Sequence, residues 1–381
     1  METILRAHKI RLYPNNEQLA YLSKACGVAR FAYNWALARA KELYEQNKKY
    51  KFSETALRRD LNAVKAEQFP WMYEVTKCAP QLAIKNGLNS AFRNFFNNQS
   101  GFPKFHKKGV NDSFQLDNLN IRIKSNYISV PLLNKPIKMS EELRYPNARI
   151  LSATISRRAD HWYASIQVEI EKPTPIHHMI SEAQAVGVDV GIKALAVLSD
   201  GTVIEGNKPS RKYGKKLRRL QQSLSRKKGA RKGEKKSNNY HKQQLQVSRL
   251  HEKIGNSRND SLHKLSTKLT QNYTLIGIED LNIKGMVKNH NLAKSIHDQS
   301  WSELGRQLIY KADTTGTHMH YADRFFASSQ LCSICGYQNT EMKDLSVREW
   351  TCQNCGANHD RDRNAAENLK QDAIRKVLSV A

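Results

Sequence analysis

Apolar residues recur along the chain with two periods, and the switches between them divide it into segments. Residues 5–13 alternate apolar with polar, the period of a half-buried strand. Over residues 18–47 and 55–96 the spacing changes to three and four. Leu19, Leu22, Phe31 and Leu37 mark the first stretch, and Leu57, Leu61, Leu82, Leu88, Phe92 and Phe95 the second. This predicts a helical insertion ending before Gly101. Strands are expected next at 121–123, 127–130, 149–155 and 162–168, the last two joined by a hairpin turn at Asp160-His161. Lys172-Pro173-Thr174-Pro175 reads as a linker.

Beyond the linker, Val186-Gly187-Val188-Asp189-Val190-Gly191 is a short apolar run holding one acid. Residues 195–198, the turn pair Asp200-Gly201 and Val203-Ile204 extend it into a predicted β-meander. A second buried strand, 274–278, runs into Glu279-Asp280, and 317–322 alternates as a third. His318 and His320 on that third strand read as a satisfied core pair rather than metal ligands. Between the meander and the second strand, Leu217, Leu220 and Leu224, then Val247, Leu250 and Ile254, then Leu262, Leu265 and Leu269 keep helical spacing. Gly229, Gly233 and Ser237-Asn238-Asn239 break it, which predicts a helical hairpin with its apolar stripe packed inward.

Charge gives this hairpin a partner. The 381 residues carry 62 Lys and Arg against 35 Asp and Glu, a net +27, a self-repulsive excess that calls for a polyanion. Residues 208–258 alone hold 18 Lys and Arg against two acids, Glu234 and Glu252. Lys215, Lys216, Arg218 and Arg219 are therefore candidate phosphate contacts. No stretch approaches the ~18 apolar residues of a membrane span, and no apolar leader follows Met1, so a cytoplasmic protein without a membrane partner is expected.

Six cysteines are present. Cys332/Cys335 and Cys352/Cys355 form two Cys-x-x-Cys pairs joined by sixteen residues, the tetrahedral sulfur set that zinc prefers. Such a site is structural, because four protein sulfurs leave the ion no open position. Disulfides are the alternative, but nothing else in the chain points to secretion. Cys26 and Cys78 lie in apolar helical stretches and read as buried structural thiols.

Asp189 inside an apolar strand needs a cation or a donor nearby, as does Glu279. Joined by one acid of the run His359-Asp360-Arg361-Asp362, they would present hard oxygen ligands suited to magnesium or manganese. Two such ions sharing carboxylates can hydrolyse a phosphodiester without a nucleophilic side chain. Taken singly, Asp189 could cap a turn, Glu279 could end a strand, and Asp362 could cap the helix after it.

The strand Gly187-Val188-Asp189-Val190-Gly191, the strand end Ile278-Glu279-Asp280-Leu281-Asn282, Cys332-Ser333-Ile334-Cys335-Gly336, Cys352-Gln353-Asn354-Cys355-Gly356 and Arg361-Asp362-Arg363-Asn364-Ala365-Ala366 together resemble the TnpB family. These are transposon-encoded RNA-guided DNA nucleases related to type V CRISPR effectors. The likeness extends to His8-Lys9-Ile10-Arg11-Leu12-Tyr13-Pro14 with Gln18, to Arg30-Phe31-Ala32-Tyr33-Asn34-Trp35, to Gly101-Phe102-Pro103-Lys104-Phe105 and to Ala327-Ser328-Ser329-Gln330. It implies a multidomain α/β chain. A RuvC-like, RNase H-fold nuclease domain would cover 183–326 and 357–381, with the basic hairpin at 208–270 and a zinc ribbon inserted at 327–356. A wedge-like β-barrel at 1–14 and 101–172 would hold guide RNA, interrupted at 15–100 by a helical recognition lobe. The family's Arg-Asp-x-Asn-Ala-Ala pattern selects Asp362 over Asp360, so that Asp189, Glu279 and Asp362 form the metal site.

Within the lobe, Lys77 and Gln81 lie four apart on one predicted helix face and could reach a groove of duplex DNA. In the family such a lobe helps read a short motif beside the target. Tyr33, Trp35, Phe102 and Phe105 could stack on bases, or pack in a core as such aromatics more often do. The expected activity is metal-dependent, RNA-guided cleavage of target DNA, leaving a 3′-hydroxyl and a 5′-phosphate. Partners would be the element's guide RNA and target DNA, first double-stranded and then unwound, in a bacterial or archaeal cell. The alternative is an RNA-guided DNA-binding regulator that does not cut, from which the intact acidic trio separates it.

Overall fold

Strand β1 (Thr3–Tyr13) occupies the alternating segment at the start of the chain, and Pro14 ends it. The computed structural model describes residues 3–172, 180–227, 236–344 and 346–378. They fall into two units, Met1–Lys172 and Pro173–Ala381. Pro173 to Pro175 of the expected linker lie outside the described residues.

In the first unit, Asn15 and Gln18 form a capping box that starts α1 (Asn16–Gln46): each side chain accepts from the other's backbone N–H at 2.9 Å. The helical spacing over 55–96 does not become one helix. Pro70 lacks an N–H and disfavours helical geometry at Phe69, so α2 (Glu54–Gln68) stops there. The chain resumes as α3 (Cys78–Leu82), a π-helical turn (Ala83–Leu88) and α4 (Asn89–Phe96). The strands are β2 (Ser113–Asp117), β3 (Arg122–Lys124), β4 (Tyr127–Ser129), β5 (Ile137–Met139), β6 (Arg149–Arg158) and β7 (His161–Glu171). With β1 they make an antiparallel sheet ordered β2-β6-β7-β1-β5-β4-β3. β1 pairs with β7 from Thr3↔Glu171 to Leu12↔Trp162, so first and last strands close the unit around the helical insertion. Ala159, at positive φ, and Asp160 make the β6–β7 turn, one residue earlier than expected. Strands β2 and β5 were not expected: a five-residue and a three-residue run give too few alternations to read. Ile10, Leu22, Leu37, Leu57, Leu61, Ile84 and Leu88 are fully buried in one core shared by sheet and helices. Cys26 sits in it, its thiol pushed up to about 12 by burial, and Cys78 donates to Asp117 at 3.4 Å. Both thiols are structural.

The second unit opens with the expected meander, β8 (Ala185–Val190), β9 (Ala196–Leu198) and β10 (Val203–Ile204). Then come α5 (Pro209–Arg226), α6 (Asn238–Asn272), β11 (Leu275–Glu279), α7 (Ile283–Met286), α8 (His290–Gln299), α9 (Trp301–Thr315) and β12 (His318–Ala322). The strand pair β13 (Glu349–Thr351) and β14 (Asn358–Asp360) precedes α10 (Arg361–Leu378). The main sheet is ordered β10-β9-β8-β11-β12, with β8, β11 and β12 parallel and β9 and β10 antiparallel. Val186, Val188, Ile276 and Ile278 pack with Leu262, Leu265 and Leu269 of α6 and with Trp301, Leu304 and Leu308 of α9. No helix among the described residues is long and apolar enough to cross a membrane.

Leu217, Leu220 and Leu224 of α5 stay half-buried, whereas Val247, Leu250, Ile254, Leu262, Leu265 and Leu269 of α6 are buried. One expectation is corrected here. His318 is exposed rather than core, whereas His320 bonds Asp372 of α10 at 2.8 Å. Gly229 and Gly233 of the predicted hairpin turn lie outside the described residues.

The sheet's second face has a floor of glycine. Gly187 and Gly277 are register partners in β8 and β11. A Cβ on Gly187 would collide with the Ala366 carbonyl and lie 2.6 Å from the Lys370 nitrogen; one on Gly277 would strike the Leu369 carbonyl. Helix α10 thus rests with its backbone on the strands, its small residues Ala366 and Ala373 fully buried. Side chains alternate along a strand, so Asp189 and Glu279, each two residues past its glycine, share the face that α10 covers. Gly277→Ala should destabilise the full chain by about 1–3 kcal/mol or more through overpacking. An unchanged denaturation midpoint would mean that α10 is not seated there.

Candidate active site

Asp189 comes from β8, Glu279 from the end of β11 and Asp362 from the first turn of α10, and all three line one cleft of about 300 Å³. Asp360 lies outside this group for a local reason. Its carboxylate accepts from the Arg363 N–H at 2.9 Å and so caps α10. Asp362, one turn before Ala366, is left facing the strand ends.

Burial raises the Asp189 carboxyl well above the usual carboxylate range, and the neighbouring charges of Glu279 and then Asp362 raise it further. Glu279 is likewise raised by burial, against which the Ser328 hydroxyl donates a hydrogen bond to it. Asp362 accepts from the Arg348 guanidinium at 3.2 and 3.4 Å. Lys193, Arg348 and Arg361 also line the cleft. The three acids thus line one cleft with only partial cationic compensation, which gathers hard oxygen donors there.

The segment before α10 fixes its first turn. Arg361 is buried and donates to the Asp344 carbonyl at 2.6 Å, while its backbone N–H bonds the Arg348 carbonyl at 2.7 Å. Asn364 exchanges bonds with the Leu331 carbonyl at 2.7 Å and the Ser333 N–H at 3.0 Å; Asn368 donates to Ser328 and Leu331, both at 2.7 Å. Ser328, Arg348 and Arg361 escaped the sequence reading. Ser328 stood inside a quoted motif and Arg361 beside Asp362, but Arg348 had no local signal.

The four cysteines meet as expected. Each pair sits on the same small turn: the Gly336 N–H bonds the Cys332 carbonyl and the Gly356 N–H the Cys352 carbonyl, both at 2.9 Å. Positive φ at Gly336 and Gly356, 75° and 74°, is what glycine permits there. The sulfurs lie within 4.8 Å of one another, with Cys332–Cys355 and Cys335–Cys352 at 3.6 Å. A tetrahedral Zn–S distance of ~2.3 Å implies sulfur edges of about 3.8 Å, so the donor set fits zinc. His359 places Nε2 3.1 Å from the Cys332 sulfur, in the strand that runs directly into Asp360 and α10.

The remaining candidates are scattered. Lys77 is exposed just before α3 in a hollow with Lys65, Tyr73 and Asn120, whereas the Gln81 amide is engaged by Asn62 at 2.8 Å and Arg58 at 3.4 Å. Lys215, Arg218 and Arg219 line one groove beside α5, and Lys216 does not. Tyr33 stacks on His106 at 3.8 Å, Trp35 is packed against the core, and Phe102 and Phe105 are exposed.

Replacing Cys352 by Ser should abolish stoichiometric zinc binding and lower stability. Unchanged zinc by elemental analysis would refute the four-cysteine site. The raised Asp189 carboxyl has a signed consequence. In metal-free protein its penalty is absent below the unfolded value near 3.8, grows with pH, and is complete above the folded value. Wild type should therefore lose stability relative to Asp189→Asn as pH climbs from about 4 towards neutrality. Parallel urea midpoints would rule out the buried charge.

Family models match most of the chain: a helix-turn-helix domain over residues 1–49, a "Probable transposase" over 165–290 and a Cas12f1-like TNB domain over 301–369. Two bacterial proteins share the name "Putative RNA-guided DNA endonuclease". That of Streptomyces pristinaespiralis is 35% identical over 97% of this chain and 89% of its own. That of Escherichia coli, InsQ, is 34% identical over 96% and 91%. "TnpB-like protein L79" of Acanthamoeba polyphaga mimivirus is 24% identical over 54% of this chain and 40% of its own. Among solved structures, the protein in a Cas12f1-sgRNA-target DNA complex shares the fold at a TM-score of 0.56 and 14% identity, covering 97% of this chain and 99% of that one. The chain belongs to the TnpB family.

Proposed function

We propose that this protein is an RNA-guided, metal-dependent DNA endonuclease of a transposable element, cutting target DNA beside a short flanking motif. The observation that carries the reading is the convergence of Asp189, Glu279 and Asp362, from three separate elements, in one cleft. The names of the relatives and the strand order β10-β9-β8-β11-β12, that of an RNase H-type RuvC domain, support it. On this reading the antiparallel sheet of the first unit is a wedge-like barrel for guide RNA, and its helical insertion is the recognition lobe, with Lys77 and Gln81 beside the flanking motif.

Asp189, Glu279 and Asp362 would hold magnesium or manganese. Two bound ions would supply Lewis acidity for water attack and for the leaving oxygen. The protein's own share is positional. Burial in the sheet holds Asp189, Ser328 aims Glu279, and the Asp360 cap frees Asp362 from its own helix. Arg348 and Lys193 place positive charge in the cleft, where a phosphodiester brings negative charge. Product ends would be a 3′-hydroxyl and a 5′-phosphate. The four-cysteine ribbon has no part in the chemistry; through Asn364, Asn368 and Arg361 its flanks set where Asp362 stands.

The test is the full chain purified with its co-expressed RNA and offered matched duplex DNA with magnesium. Asp189→Ala should cut at least about 10²–10³-fold more slowly, the scale on which preorganised electrostatic groups act, while still binding target. Wild type that binds its correct target and flanking motif but never cuts would overturn the nuclease reading in favour of a DNA-binding regulator.

A further inference from the structure

A second cavity of about 1,030 Å³ lies between α5 and α8. Lys208, Arg211, Lys215, Arg218, Arg219 and Lys294 line it, against a single carboxylate, Asp298. That carboxylate is already engaged by Arg258 at 2.8 Å and by the Ser210 N–H at 3.1 Å, so it anchors the start of α5. Among the described residues, Arg211, Lys215, Arg218, Arg219 and Lys294 have no carboxylate partner. A groove so lined holds a strongly positive potential that only a polyanion relieves.

This groove and the acidic cleft share a wall. Ile192 lines both. Its loop is pinned from the groove side: Gln299 donates to the Ile192 carbonyl at 3.0 Å and Lys208 to the Lys193 carbonyl at 2.5 Å. Gly206 leaves room for this contact, since a Cβ there would meet the Gln299 amide at 2.5 Å and push it aside. Ile192 and Lys193 thus form a fixed sill, with free cations on one side and the carboxylate trio on the other. At about 1.5 Å per residue, Arg211, Lys215 and Arg218 spread over roughly 10 Å of one helix face, the reach of two or three backbone phosphates.

We infer that the α5–α8 groove is a single-strand track, holding the backbone of unpaired DNA next to the scissile phosphate and passing it over the Ile192–Lys193 sill. The inference rests on the nuclease reading above and adds a route to it. The groove is too narrow in its inventory to read sequence: it offers cations and a few polar side chains, with no aromatic platform, so it takes any strand by its phosphates.

The experiment places a photo-crosslinking residue at position 215 in the full chain carrying Asp189→Ala, assembled with co-purified guide RNA and matched target DNA. Crosslinks should map to the unpaired DNA strand. Crosslinks to the guide–target duplex, or none to DNA, overturn the inference. Because this arm needs no cleavage, it stands or falls separately from the nuclease reading. In a second arm, with the acids intact, the triple variant Arg211→Gln, Lys215→Gln, Arg218→Gln is compared with Lys212→Gln, which lies on α5 outside the groove wall. Loss of three phosphate contacts should slow cleavage at least about tenfold while target binding changes less than about threefold. Lys212→Gln should do neither. Equal losses of binding and cutting in the triple variant would mean a general nucleic-acid surface and overturn the track.

Discussion

The second unit depends on backbone lying against backbone. Two glycines side by side in parallel strands remove the side chains that would separate sheet from helix, and α10 settles onto the bare surface. Close approach fixes the helix along its length as well as in height, because its carbonyls and alanines must fall between strand atoms. Everything chemical follows from that placement. Four helix residues before Ala366 and two strand residues beyond Gly187 and Gly277 cover similar distances, roughly 6.0 and 6.6 Å, and the three carboxylates line one cleft.

Such an arrangement stores electrostatic tension. Asp189 is raised by burial first and by its two acidic neighbours next. The surrounding arginines relieve part of this: Arg348 reaches Asp362, while Arg361 is committed to backbone carbonyls and contributes only its field. The four-cysteine segment supplies both arginines' settings, and its strand β14 runs into the Asp360 cap. A fold element with no chemistry of its own thereby controls the orientation of an acid.

The sequence made the strand-borne acids legible because a carboxylate inside an apolar run is anomalous by itself. It made the cysteine site legible because the spacing is local. The helical period over 55–96 marks helix but hides the breaks, since hydrophobic spacing continues through Pro70 while the backbone cannot. His318 misled because alternation says which residues share a face and not whether that face is covered. Arg348 was invisible: its partner Asp362 lies fourteen residues away across the second cysteine turn, and no local pattern marks the pairing.

By itself, then, the chain determined its element types, its charge excess, its two cysteine turns and the family that its motifs resemble, all of them consequences of short-range spacing. Tertiary structure decided which of two neighbouring aspartates caps a helix and which faces the strands. It decided that Lys215 and Arg218 share a groove wall while Lys216 does not, and that this groove abuts the acidic cleft at Ile192. Those outcomes turn on where α10, α5 and α8 come to rest against other elements, and resting position is set by contacts between residues far apart in sequence, which no local period encodes.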